Sequence, residues 1–175
     1  MVTRRLLPSD APAFVALRVA SLRNEPLAFS SSIVDDHGGS LEVARKALAG
    51  AAEEAVYGYF QGAELLGIAG VIRAAKAKHR HKAELWGFYV TPEARGRGAG
   101  RALLDAVIAH ARAWDGVLQL ELGVTSAAEA AQRMFERAGF RTWGREPRAL
   151  HNDGLFVDEF HMWLEFEAPL PSDLS

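Results

Sequence analysis

The stretch from Val90 to Arg101, read Val-Thr-Pro-Glu-Ala-Arg-Gly-Arg-Gly-Ala-Gly-Arg, constrains this chain more than any other. Residues 84–90 before it alternate as a strand does. After it, Leu103, Leu104, Val107, Ile108 and Ala111 recur on one face of a helix. The chain must therefore pass from strand to helix through a short turn, with the helix opening near Gly98. A helix start carries unpaired N–H groups and the positive end of the macrodipole, so it attracts anions. Gly96, Gly98 and Gly100 clear the approach to the backbone, and Arg95, Arg97 and Arg101 ring the same spot with positive charge. Arg101 falls in the first helical turn, where a cation opposes the dipole unless an anion offsets it. The turn reads as a pyrophosphate cradle.

Two nucleotide signatures fail here. In the dinucleotide fingerprint G-x-G-x-x-G the third glycine should stand where Arg101 is, and no Gly-Lys-Ser/Thr completes a P-loop. The pattern Arg-x-x-Gly-x-Gly does fit, as Arg95-Gly96-Arg97-Gly98-Ala99-Gly100, behind a strand and a Val-x-Pro turn. With Phe135-Glu136-Arg137-Ala138-Gly139-Phe140 further on, and Glu84 eleven residues before Arg95, the chain resembles the GNAT superfamily of acetyl-CoA-dependent N-acetyltransferases over roughly residues 2–166.

Composition limits the alternatives. A length of 175 residues suits one domain with a single core, and 49% apolar against 24% charged residues excludes a disordered chain. A net charge of −2 gives no electrostatic footprint for nucleic acid. With no cysteine there is neither a disulfide framework nor a thiol nucleophile, and a reducing, cytoplasmic setting is expected. Neither a signal peptide nor a membrane-spanning run is legible.

In chain order the pattern predicts a strand over 2–6, then a helix from Asp10 as N-cap, with Phe14, Leu17 and Ser21 on its buried stripe. A Ser-rich loop follows over 26–39, and a second helix capped by Ser40 runs to about 49. Strands over 55–60 and 65–73 form a hairpin, and the strand over 82–90 carries Glu84. The strand over 117–124 follows the cradle helix and must run parallel to 82–90, because a crossover helix joins them. Ser126-Ala127-Ala128-Glu129 reads as a capping box, Gly139 ends that helix, and a hairpin of 141–146 with 155–166 closes the sheet. The expected fold class is α/β: one GNAT-like domain over 1–167, a mixed and mostly antiparallel sheet with helices on both sides, and a loose tail over 168–175.

Chemistry follows from the same residues. An amine must lose its proton before attacking a thioester, which calls for a base with a raised pKa. Strict alternation places Glu84 on one face with Trp86, Phe88 and Val90, where apolar bulk would raise its pKa; a solvent-facing pair with Lys82 or Arg80 is the other reading. The resemblance implies that the parallel strands splay, that the backbone of Phe88, Tyr89 and Val90 meets the pantetheine arm, and that residues 95–101, Ala99 included, hold the diphosphate. It also implies that Phe29 and Ser30 lie on the acceptor side, with a small-molecule or peptide amine as acceptor, and it allows a homodimer.

Two positions depart from the family pattern. Phe135 stands where a tyrosine usually protonates the leaving thiolate, and Ala128 where many members carry asparagine. Tyr57, Tyr59 and Tyr89 are candidate substitutes, although strand aromatics of this kind usually pack. Acetyl transfer to a primary amine in one ternary complex is therefore weighed against a non-catalytic acyl-CoA-binding or sensing module. A plain nucleotide-binding protein fits less well. His79 and His81 have no third ligand nearby, so no metal is expected. Trp114, Trp143 and Trp163 are expected to be packing residues.

Overall fold

Seven strands pair into one sheet in the computed structural model, which describes residues 1–36, 39–50 and 52–166. They are β1 (Val2–Arg5), β2 (Glu54–Gln61), β3 (Glu64–Arg73), β4 (Lys82–Val90), β5 (Gln119–Thr125), β6 (Arg141–Asn152) and β7 (Leu155–Glu165). Their spatial order is β1-β2-β3-β4-β5-β7-β6. Only β4 and β5 run parallel. Helices α1 (Ala11–Asn24) and α2 (Leu41–Leu48) cover one face, and α3 (Ala99–Ala113) and α4 (Glu129–Arg137) the other. The α/β expectation holds, while the expected tail over 168–175 lies outside the described residues. No helix among them is long and apolar enough to cross a membrane.

Each face buries the residues that strand and helix periodicity assign to it. On the α3 side, Leu103, Leu104 and Val107 meet Val71, Leu85 and Leu120; on the α1 side, Phe14 and Leu17 meet Val56, Phe60 and Ile68. Helix α4 ends in a Schellman motif: Phe140 N–H donates to the Phe135 carbonyl at 3.1 Å and Gly139 N–H to that of Glu136 at 3.0 Å. The Phe140 ring then packs back on Phe135.

Several local expectations change. Asp10 does not cap α1; its carboxylate accepts from the Leu7 N–H at 2.8 Å and from the Arg4 guanidinium, tying β1 to the helix entry. Nor does Ser40 cap α2 through its side chain. Ser126 opens no capping box, because its N–H donates to the Asp158 carbonyl and its hydroxyl accepts from the Asp158 N–H. That ladder contact with β7 delays α4 to Glu129. Strand β6 continues past Pro147 to Asn152, which an edge strand tolerates because the missing N–H faces no neighbour. Trp143, expected to pack, lies exposed on that edge and leans on His161.

The change that matters most for function is in β4. Gly70 pairs with Trp86 but Ile68 with Tyr89, so Gly87 and Phe88 together oppose Ala69. This is a β-bulge, with Gly87 at φ +61°. It reverses the alternation: Glu84 and Trp86 share a face as expected, on the side of α1 and α2, whereas Phe88 and Val90, expected beside them, turn to the α3 side and Tyr89 takes the α1 side.

Behind the sheet, His110 Nδ1 lies 3.0 Å from the Tyr57 hydroxyl, so neither Tyr57 nor the buried Tyr59 on β2 stands beside Glu84. Burial, helped by Arg5, holds the His110 imidazole below its usual pKa. The unfolded chain therefore protonates first. The stabilisation is complete above about pH 6.5 and is lost as pH falls toward the lower folded value. The melting temperature should fall between about pH 7 and 5, with a shallower slope in His110→Gln; equal slopes would remove His110 as the cause.

Candidate functional site

The glycine-rich turn from strand to helix forms where the sequence places it. Gly98 takes φ +84° as the residue before α3, and no side chain caps the helix. From Gly96 to Arg101 no backbone N–H has a hydrogen-bond acceptor among the described residues. An added Cβ at Gly96 or Gly98 would meet nothing within 4 Å, so the space over these two residues is open. At Gly100 it would come within 2.9 Å of Met134 Sδ, so bare Cα there lets α3 and α4 approach closely.

The three arginines divide their work. Arg95 folds back, its Nε donating to the Val90 carbonyl at 3.0 Å and its Nη2 to Glu25 at 2.8 Å, which fastens the turn to the end of α1. Arg101 reaches along α3 to Asp105 at 2.8 Å. Arg97 is exposed and makes no ion pair among the described residues.

Next to the cradle the sheet opens. Strands β4 and β5 pair only at Lys82–Gln119, Ala83–Leu120 and Glu84–Glu121. Beyond that point the β5-facing backbone edge of residues 85–90 has no ladder partner among the described residues. The gap lies between β4 and a β5 held from the other side by β7. Phe88 closes its α3 side, edge-on to Phe135 at 5.4 Å. Phe135 is buried, so the position that carries a hydroxyl in the resembled pattern here completes an aromatic cluster.

On the opposite face, a pocket of about 380 Å³ takes in Glu84, Trp86 and Gly87 from β4, and Phe29 and Ser30 from the loop after α1. The structure thus brings the proposed base and the proposed acceptor residues to one wall. The readings of Glu84 as a partner of Arg80 or Lys82 are overturned: Arg80 pairs with Glu53, and Lys82 with Glu121 at 2.7 Å. Glu84 is nonetheless exposed, so the solvent-facing part of that reading holds and only the pairing fails. Desolvation by the pocket wall, reinforced by the Glu121 and Glu159 carboxylates, raises its pKa. Glu159 reaches in from β7 across Gly123, where an added Cβ would lie 2.3 Å from its carboxylate oxygen.

Sequence reasoning missed Glu159, Gly123, Arg18 and Asp36, all of which line this pocket. Arg18 was detectable, since it sits one helical turn after Phe14 on the buried stripe of α1. Glu159 and Gly123 were not, because their meeting depends on the pairing of β5 with β7. Glu159 also comes within 4.8 Å of Glu146 and His161, the one group of metal-type ligands among the described residues; His79 and His81 are not in it.

Comparison with known proteins agrees with this geometry. The sequence profile of the acetyltransferase (GNAT) family matches residues 19–140. An uncharacterized N-acetyltransferase of Mycobacterium tuberculosis is 30% identical over 153 residues, covering 82% of this chain and 95% of that protein. A mycothiol acetyltransferase of Propionibacterium freudenreichii is 43% identical over 68 residues, but this stretch is 39% of this chain and spans only 22% of the relative's length. Among solved structures, a ribosomal-protein-alanine N-acetyltransferase of Brucella melitensis superposes with a TM-score of 0.81 at 25% identity, covering 95% of this chain and 100% of that one. YncA of Salmonella typhimurium, solved with its cofactor acetyl-CoA, superposes with a TM-score of 0.80 at 23% identity over 100% of this chain and 99% of that one. The cradle, the opened strand pair and these matches lead to one conclusion: the chain belongs to the acetyltransferase (GNAT) family, whose members draw their acetyl group from acetyl-CoA.

Proposed function

We propose that the protein transfers acetyl from acetyl-CoA to a primary amine by direct attack within one ternary complex. The observation that carries this reading is the run of unpaired amides from Gly96 to Arg101 opening beside the gap between β4 and β5. In this reading those amides and Arg97 hold the diphosphate, and Arg101 turns from Asp105 to join them. Arg95 acts chiefly as a strut for the turn. The backbone edge of Phe88, Tyr89 and Val90 takes the pantetheine arm and supplies donors for the thioester oxyanion.

The amine enters through the pocket lined by Phe29 and Ser30, and its ammonium proton passes to Glu84, directly or through a water. The neutral nitrogen attacks the acetyl carbon, a C–N bond forms, the C–S bond breaks, and the nitrogen releases its second proton to solvent to leave the neutral amide. A thiol of pKa about 8.5 is a good enough leaving group to depart as thiolate and take its proton from solvent. That accommodates Phe135, whose buried ring offers no proton.

A non-catalytic acyl-CoA sensor is the second reading, favoured by Phe135 and by Ala128. Thiol release from acetyl-CoA with a panel of amines separates the two, since a sensor releases none above background. Thermal stabilisation tests the ligand itself. Coenzyme A at a hundredfold excess over its Kd should raise stability by about 2.7 kcal/mol, whereas ATP and NAD should leave the melting temperature unchanged.

A further inference from the structure

We propose that the acceptor amine carries a neutral carbonyl oxygen, as an amino-acid amide does, and that Arg18 Nη1 binds it. This rests on the transferase reading of the pocket and narrows its substrate.

Arg18 is only 6% exposed, yet it lines the pocket. Its Nε and Nη2 donate to the Asp36 carboxylate, at 2.9 Å for Nη2, and the Phe29 ring lies 4.9 Å from the guanidinium carbon. Nη1 is buried and has no hydrogen-bond partner among the described residues. It faces Gly87 at the bulge, where an added Cβ would stand 3.7 Å from it. A guanidinium presents five N–H donors, and leaving those of one nitrogen buried without an acceptor is unfavourable. A ligand oxygen at this spot would remove that penalty. Because Nη1 is sealed from water, the oxygen reaches it when the Phe29 ring beside the guanidinium turns aside, with the Asp36 pair left in place.

Charge selects which oxygen. Asp36 already neutralises Arg18, and the pocket also holds Glu54, Glu84 and Glu159. The surplus is negative, so the pocket attracts an ammonium and repels a carboxylate. A neutral carbonyl beside the amine meets both conditions; a free amino acid meets only one, and a simple alkylamine leaves Nη1 unpaired. Phe14, Trp86 and Phe29 line the same space and suit an apolar side chain.

The test compares phenylalaninamide, phenylalanine and phenethylamine, which share the amine and the ring and differ in the group next to the amine. Calorimetric titration into the CoA-loaded protein reads binding apart from chemistry, and thiol release with acetyl-CoA reads turnover. The amide should bind at least about tenfold more tightly than either competitor, the discrimination expected of a hydrogen bond to a charged donor. In Arg18→Met that preference should shrink to within about twofold, with Arg18→Lys partly restoring it. A merely structural Arg18 would weaken all three ligands alike. If Arg18→Met fails to fold, the wild-type comparison still decides the ligand class and Arg18→Lys reads the part played by the guanidinium. Equal binding of the three, or tightest binding of phenylalanine, would overturn the inference. Tight amide binding without thiol release would overturn the transferase reading and, with it, the acceptor role of the amide, leaving only the carbonyl contact of Arg18 standing. A short peptide beginning with phenylalanine presents the same carbonyl. Its affinity relative to the amide tells whether the pocket takes chain ends or small amides.

Discussion

Glu84→Gln should lower kcat/KM for the amine by about 10²–10⁴-fold, the range for a lost general base, while the Kd for coenzyme A stays within about twofold. The amide keeps the shape of the side chain and removes only its capacity to take a proton. Glu84 pairs with no cation among the described residues, so the substitution should break no ion pair. The pH profile gives an independent check. Desolvation, with Glu121 and Glu159 adding repulsion, raises the carboxyl above the ordinary value of about 4.3. The active form is the deprotonated one, so the rate rises with pH and its acidic limb lies above that value. Glu159→Gln removes one repelling charge and should move the limb to lower pH without abolishing turnover. An unchanged rate and profile in Glu84→Gln would remove this residue from the chemistry.

Gly98→Leu should weaken coenzyme A binding by roughly two orders of magnitude, equivalent to losing one or two charge-assisted hydrogen bonds. The space above Gly98 is open, so the new side chain clashes with nothing in the protein and projects into the volume assigned to the diphosphate. At φ +84° a residue with a Cβ costs about 1–2 kcal/mol, so the melting temperature should drop modestly while the protein stays folded. Calorimetry alongside a melting curve separates the two effects. A drop in melting temperature with unchanged affinity would mean that Gly98 serves only the turn.

Much of this was legible because it is written locally. The bare turn before α3 announces itself through three alternate glycines at a strand-to-helix junction, and the Schellman end of α4 through Gly139 followed by Phe140. The β2–β3 hairpin shows in two apolar runs around Gly62. The parallel pairing of β4 with β5 follows from the helix between them. What stayed hidden depends on contacts far apart in sequence. Nothing local to Ser126 shows that it will be held by Asp158, so its spacing to Glu129 passes for a capping box. The approach of Glu159 over Gly123 exists only once β7 has paired with β5. Gly87 lies between these cases. A glycine inside a strand pattern signals a bulge, and heeding it would have separated Phe88 from the face that Glu84 shares with Trp86.

The account rests on the diphosphate of coenzyme A lying against the backbone of residues 96–101, with the pantetheine arm along β4. Titrating ¹⁵N-labelled protein with coenzyme A and following every amide tests this most directly. The account predicts saturable shifts, largest at Gly96 to Arg101 and continuing into Phe88, Tyr89 and Val90. Shifts confined to other parts of the sheet, or none at coenzyme concentrations that saturate related acetyltransferases, would contradict it.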